Sequence, residues 1–383
     1  MSRYIKTVTV LCLTAGGAHA GALDRTGQSV DVLFEEGRYL EFSLGYLSPD
    51  IKGESVTTLG GPAPFFPTFP AGGKSGDIGE SNFNFGAAYK ADINEDWSYA
   101  IIFDEPYKAE VDYPDGTGYF AQGSKAKFNS VAITTLLQYN LDNGFSVYGG
   151  PRFQRADAKA QIGFVAGYDV DTDKDWGIGY VIGAAYERPD IALRVSLTYS
   201  SEIKHKNDVE ESFSPPSPLL APLFPGGDST ADYKTPDSIN LAFQTGIAAD
   251  TLLFGGVRWV DWSEFDLSPK RYVEQTGQPL LSYEDDVITY TLGLGRRLTE
   301  NWSLAGSVGY EKNTGNLFTN LGPADGQKSI GLAAIYTQGK VTVTTGIRYA
   351  WIGDTTTAVQ GNPAAEFDDN NAVAIGVKVG YNF

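Results

Sequence analysis

What this chain lacks narrows its class before any motif is read. One cysteine, one methionine and two histidines in 383 residues leave little for a disulfide framework, a thiolate metal centre or a histidine-based catalytic pair. No apolar run approaches the roughly 20 residues that a spanning helix needs. A membrane-spanning form of the chain therefore has to be built from strands. Basic side chains are also scarce: 29 Lys and Arg against 47 Asp and Glu give a formal net charge of -18. Such a surface cannot neutralise a run of phosphates, which excludes nucleic acid as a partner.

What is present begins with an export signature. Arg3 and Lys6, an apolar stretch from Thr7 to Leu13, and the small-x-small ending Ala18-His19-Ala20 predict a secretory signal peptide over residues 1–20, with Gly21 as the mature start. Val10 and Leu11 before Cys12 are not the small residues a lipoprotein site requires. Cys12 and His19 leave with the signal, so the exported chain has no cysteine and keeps His205 alone. A barrel hydrolase would need a Ser–His pair, and a lone His205 among lysines does not suggest one. The chain reads as a non-enzyme without a cofactor.

The remaining sequence is rich in aromatics and glycine, with 22 tyrosines, 21 phenylalanines, six tryptophans and 45 glycines, a balance suited to twisted strands. Strict alternation identifies those strands. In residues 191–200, Ile191, Leu193, Val195, Leu197 and Tyr199 alternate with Ala192, Arg194, Ser196, Thr198 and Ser200. That is the apolar-out, polar-in pattern of a lipid-facing barrel wall. The same pattern runs through Leu40–Tyr46, through Val341–Trp351 and through the closing stretch Val373–Phe383. About fourteen such segments are predicted, beginning near 38, 82, 97, 126, 145, 176, 191, 237, 251, 286, 302, 327, 341 and 371. Tight turns at 94–96, 142–144, 189–190, 249–250, 299–301 and 339–340 alternate with long loops. Short turns on one side and long loops on the other distinguish the periplasmic from the extracellular side of an outer-membrane barrel. The expectation is an all-β, transmembrane antiparallel β-barrel of about 14 strands over residues 38–383, multi-pass in the Gram-negative outer membrane, with residues 21–37 as a short N-terminal plug.

Four stretches, "VLFEEGRYLEFSLGYLSPDIKG", "DWGIGYVIGAAYERPDIALRVSLTYSSEIKHK", "VRWVDWSEFD" and "TENWSLAGSVGYEKNT", occur in an order and spacing that resemble the FadL family of outer-membrane long-chain fatty-acid and hydrocarbon transporters, which includes TodX. The resemblance implies a fourteen-stranded barrel closed by an N-terminal plug. It also implies uptake of hydrophobic molecules that leave sideways through the wall. The chain departs from the family's best-known members in having only residues 21–37 ahead of the first strand, without their longer hatch.

Two loops are unusually apolar for exposed segments, residues 60–73 and 212–227. Phe65, Phe66, Phe69, Leu219, Leu220, Leu223 and Phe224, stiffened by prolines, are expected either to capture a greasy ligand or to pack over the barrel mouth as a lid. Inward parity places Arg152, Arg194, Arg258, Arg297, Arg348 and Lys378 in the lumen, with Arg155 as a further basic candidate beside Arg152. An arginine fork grips a fatty-acid carboxylate well in a low-dielectric passage; the same cations could instead pair with Glu41, Asp104 and Glu311. Pro106 removes a ladder donor from the third strand. With Asp104 it marks either a lateral opening, as in the family, or a plain strand end. Asp169, Asp171 and Asp173 begin like a calcium loop, but Lys174 and Tyr180 stand where its Gly and Glu belong, so no metal site is assigned. The partners expected are a long-chain fatty acid or another hydrophobic small molecule, outer-membrane lipid and lipopolysaccharide, and the barrel-assembly machinery, which would read the terminal Phe383. The other function considered is a general diffusion porin or a structural barrel.

Overall fold

The computed structural model describes residues 23–60 and 66–383. The export signal and Phe65 lie outside the described residues.

Fourteen antiparallel strands form the wall, each long enough to cross a bilayer when tilted. They are β1 (Tyr39–Asp50), β2 (Asn82–Asp92), β3 (Trp97–Asp104, resumed at Lys108–Asp112), β4 (Lys125–Asn140), β5 (Phe145–Ile162), β6 (Tyr168–Thr172, resumed at Asp175–Arg188) and β7 (Leu193–Ser200, resumed at Ile203–Ser212). The second half comprises β8 (Gly227–Thr235, resumed at Ser238–Ala248), β9 (Thr251–Val260), β10 (Val287–Arg297), β11 (Trp302–Glu311), β12 (Gln327–Gln338), β13 (Val341–Ile352) and β14 (Asn371–Asn382). The eighth strand starts ten residues before the expected position. Its outer half, Gly227–Thr235, alternates polar residues and carries no lipid-facing row to read.

Each strand pairs with its sequence neighbours, and β1 closes on β14 in continuous register from Tyr39 opposite Asn382 to Asp50 opposite Asn371. The Phe383 amide donates to the Arg38 carbonyl at 2.9 Å and extends the seam by one bond. Closure is required because an unpaired edge in hydrocarbon would leave a row of unsatisfied backbone groups.

Parity follows the alternation in the sequence. Phe42, Leu44, Ile182, Leu197, Leu292, Leu332 and Ile375 are exposed on the outside, as lipid-facing side chains must be in a bare barrel. Aromatic pairs ring the short-turn end: Trp97 with Tyr139, Phe145 with Tyr186, Trp302 with Tyr336, and Tyr381 with Phe383 have centroids 4.6–4.9 Å apart. Rings with one apolar and one wet edge suit that interface.

The interior is filled rather than open. An aromatic cluster containing Tyr107, Phe128, Tyr168, Tyr233, Trp262, Phe265 and Tyr283 occupies the loop-side half. A smaller cluster containing Val32, Leu33, Leu136 and Tyr148 fills the other half. At the seam the filling relies on glycine. A side chain at Gly380 would put its first carbon 1.9 Å from the Tyr39 hydroxyl, whose ring lies across that position. Replacing Gly380 with Val should therefore cost about 1–3 kcal/mol by overpacking. The check is heat-modifiable gel mobility in detergent, with a lower melting temperature expected than for Ala substituted at the open Gly306.

Candidate functional site

The N-terminal segment crosses the lumen at the break in β3. Its backbone adds to that break as a short antiparallel pair: the Arg25 amide donates to the Pro106 carbonyl and the Lys108 amide to the Leu23 carbonyl, both at 2.8 Å. Side chains then fix it to the wall. Arg258 donates to Asp24 through Nε at 2.8 Å and to Asn240 through Nη1 at 2.9 Å. Asn240 in turn donates to the Gly27 carbonyl, and Gln28 to the Tyr107 hydroxyl. Thr26 Oγ1 donates to Asp104 at 2.8 Å, and Arg152 stands 3.7 Å from the same carboxylate. A 3-10 turn, Asp31–Phe34, follows. There Asp31 meets Arg194 at 3.5 Å and Arg194 lies over the Phe34 ring.

Below this turn, Glu35 is half-buried near the short-turn mouth. Burial, with Glu41 and Asp31 acting in the same sense against Lys378 and Arg194, pushes its carboxyl up to about 7. The folded protein then keeps a proton that the unfolded chain releases above pH 4.5, so this group's contribution to stability falls as pH rises from there towards 7.

The break in β3 opens the wall. β2 and β3 pair from Ser98 opposite Asp92 to Phe103 opposite Ala87, and the same register resumes as a single bridge between Gly79 and Val111. Between those points seven residues of each strand, 80–86 and 104–110, form no β-bridge with one another, roughly 23 Å of strand length. The β2 edge left there is satisfied by side chains: the Phe85 amide donates to Glu105 at 2.8 Å, and Lys108 Nζ donates to the Phe83 carbonyl at 2.6 Å. A cavity of about 120 Å³ at this window is lined by inward Glu41, Asn84 and Asp104 and by outward Leu44, Phe85 and Phe103. It therefore reaches both faces of the wall. Glu105 and Lys108 are functional candidates that sequence reasoning missed. The break around Pro106 was the signal available, and their neighbours across the gap could not be read from it.

On the loop side lies a groove of about 790 Å³ lined by Phe66, Phe69, Phe120, Phe164, Phe224 and Phe318 among other apolar groups, with Glu284 as its one charged lining residue. Three of the expected capture residues, Phe66, Phe69 and Phe224, are therefore in the groove. Leu219, Leu220 and Leu223 are not. They fall on a 3-10 turn, Pro218–Leu223, which directs Leu219 and Leu223 outward, and Leu220 is half-buried outside the groove lining. Phe120, Phe164 and Phe318 come from three other loops and carried no local signal.

The lumen cations are mostly committed to acids. Besides the pairs already given, Arg297 donates to Asp250 at 2.8 Å at the short-turn mouth, and Lys378 stands 3.4 Å from Glu41. Arg348 makes no ion pair within 4 Å among the described residues and lines, with Arg258, a lower cavity of about 190 Å³. Arg155 is a correction. It shares the parity of outward Phe153, and its guanidinium sits over the exposed Trp176 ring at 5.9 Å, so it is outside the lumen. Among the described residues no group of three His, Cys, Asp or Glu could hold a metal, and Asp171 is taken by Lys159. His205 is buried against Tyr233, with Nδ1 3.6 Å from Asp175.

A closed barrel with an apolar outer band, a largely filled lumen and an aromatic groove among its loops defines an outer-membrane transport barrel for hydrophobic compounds. The chain belongs to the outer membrane protein transport protein family (OMPP1/FadL/TodX), whose sequence model matches residues 72–383. It is accordingly a transport protein and not an enzyme. A comparison with curated proteins found no match. Among solved structures it is similar to a Pseudomonas aeruginosa FadL homologue, with 15% identity, 92% of each chain covered and a TM-score of 0.72. The Pseudomonas putida toluene transporter TodX is similar at 10% identity, with 96% of this chain and 98% of that one covered and a TM-score of 0.61. The Ralstonia pickettii toluene transporter TbuX gives 12% identity, 95% and 92% coverage and a TM-score of 0.59. At these identities the likeness is one of fold.

Two predictions follow from the geometry of groove and mouth. Replacing Phe66, Phe69 and Phe224, all half-buried, together by Ser should weaken oleyl alcohol binding to the purified protein by about tenfold or more, given about 0.5 kcal/mol or more for each ring, while Leu219 and Leu223 to Ser leaves it unchanged. Titration calorimetry in detergent reads both. Glu35→Gln should raise the melting temperature at pH 7.5 and leave it nearly unchanged at about pH 4, where the carboxyl is protonated in folded and unfolded chains alike.

Proposed function

We propose that this protein takes up long-chain fatty acids and similar hydrophobic molecules by diffusion. It captures them in the aromatic groove, passes them along the N-terminal segment, and releases them sideways through the window between β2 and β3 into the membrane. Residues 21–37 act as a plug that keeps the lumen from becoming an open pore, and residues 1–20 are the export signal. The observation that carries this reading is the window: a barrel meant only to conduct ions has no need of a break in its wall that reaches lipid.

Physical costs support the route. An apolar chain loses its hydrophobic gain if it must re-enter water on the short-turn side, at about 0.8 kcal/mol per CH₂. Lateral exit lets the tail pass from groove to bilayer with little exposure. A general diffusion porin is the competing reading, and the filled lumen and its ion pairs count against it. In this reading the wall's outer band contacts lipid and lipopolysaccharide, and the exposed Phe383 at the end of β14 serves recognition by the assembly machinery.

The test is a staple across the window. In a Cys12→Ser background, Asn84→Cys and Pro106→Cys would be bridged with a bismaleimide in intact cells. Uptake of radiolabelled oleate and oleyl alcohol should fall several-fold on bridging and stay normal in each single variant. Undiminished uptake after bridging would remove the lateral route. Large steady conductance in planar bilayers, with no acyl ligand retained on purification, would favour the porin.

A further inference from the structure

One buried cation in the passage has no acid of its own. Arg25, on the N-terminal segment, is 5% exposed. Among the described residues its one side-chain hydrogen bond is from Nη1 to the neighbouring Asp24 carbonyl at 3.4 Å, and its Nε has no partner. The adjacent Asp24 carboxylate is engaged by Arg258, with both Nε and Nη2 at 2.8 Å. The other acids around the segment are likewise taken in pairs: Asp104 faces Arg152 and Asp31 faces Arg194. Among the described residues, then, three arginines each meet an aspartate here and a fourth is left over.

The position of that fourth arginine is informative. Arg25 lines the window cavity together with Asn84, Phe85 and Phe103. It also lines a second cavity of about 60 Å³ on the loop side, with Leu47, Ile51, Val111, Leu321 and Ile352. Leu321 lines the extracellular groove as well. The chain of cavities from groove to window thus passes Arg25; the loop-side cavity is largely apolar, whereas the window cavity mixes Leu44, Phe85 and Phe103 with Glu41, Asp104 and Lys378. Three acids border the second cavity too: Glu110 is held by Lys127 at 2.8 Å, Glu311 accepts from Thr289 at 2.9 Å, and Glu80 is exposed to solvent.

A guanidinium withdrawn from water without a counter-ion is costly, and such buried unpaired groups call for an explanation. Burial pulls Arg25 down to about 10, and Asp24 only partly restores it. The site remains cationic at any physiological pH. The groove above offers no cation to a carboxylate, so an anionic head finds its first free charge here.

We infer that Arg25 is the head-group subsite of the passage: its guanidinium receives the carboxylate of a long-chain acid where the route turns from the loop side toward the window. The acyl tail lies in the apolar loop-side cavity or along Leu44, Phe85 and Phe103 of the window. Arg25 is then a selectivity residue that lets an anion cross a part of the route where it would otherwise pay full desolvation. This rests on the uptake reading above and adds to it a preference for the acid over its uncharged analogue inside the barrel.

Paired ligands separate the two ideas. In intact cells lacking another long-chain channel, Arg25→Met should lower oleate uptake by about tenfold, the loss of one charge-assisted pair, and leave oleyl alcohol uptake unchanged. Arg25→Lys should recover part of the oleate rate, since it restores the charge without the fork. Native mass spectrometry of the purified Met variant should show oleyl alcohol retained and oleate lost, which also establishes that the variant is folded. Unchanged oleate uptake, or equal losses of acid and alcohol, would overturn the assignment. A wild-type protein that admits neither ligand would overturn the uptake reading and this subsite with it.

Discussion

The structure depends on one constraint: inside a bilayer no backbone N–H or C=O can be left to water, because none is there. Closure of β1 on β14, the antiparallel ladders and the terminal bond from Phe383 to Arg38 all answer it. At the break between β2 and β3 the same demand is met differently. There Glu105 and Lys108 supply, from their side chains, the acceptor and donor that a neighbouring strand would have supplied, and Leu23–Arg25 takes up the inner edge of the departing chain. These contacts give two edge groups of β2 and the inner edge of the departing chain partners of their own, which lets the break persist as an opening instead of collapsing into a regular ladder.

Inside, the design is electrostatic as much as apolar. A chain with a net charge of -18 places arginines in its lumen and matches them to aspartates at the N-terminal segment. Isolated buried ion pairs contribute little net stability, yet breaking one is expensive. Pairs such as Arg258 with Asp24 therefore do more to fix where the segment sits than to hold the barrel together. The wall itself is secured by its ladders and its lipid-facing rows.

Much of the wall was legible in the sequence because lipid on one face and lumen on the other impose a period of two. The alternation in Leu193–Ser200 and in Val373–Phe383 reads directly into outward and inward rows, and eleven of the fourteen strands begin within one residue of where the pattern places them. The exceptions are β7, which begins after a 3-10 turn, and the polar outer halves of β6 and β8. Where parity was set aside, the reading failed: Arg155 was grouped with Arg152 by nearness in the chain, though three positions along a strand means the opposite face. Composition alone was a weaker guide to the loops. It singled out Phe66, Phe69 and Phe224, which line the groove, together with Leu219, Leu220 and Leu223, which do not, since a Pro-rich turn does not reveal which way its side chains point. Arg25, Glu105 and Lys108 were invisible for a different reason. Each matters through a contact with a distant segment, and no local pattern encodes that.

The N-terminal segment has a consequence for how the molecule is made. Thirteen of the wall's strand pairings join neighbours in the chain and can form as successive hairpins, whereas the β1–β14 seam joins segments more than 300 residues apart. Such a contact carries the largest loop-closure cost and forms late. Leu23–Gly27 lies ahead of β1, and its partners Pro106, Asn240 and Arg258 come from both halves of the chain. To end up enclosed, the segment has to be laid against the open sheet before the seam shuts. Arg258 and Asn240 would then hold the N-terminal segment in place while the last strand arrives, so that the contacts crossing the finished lumen also serve as a template for closing it.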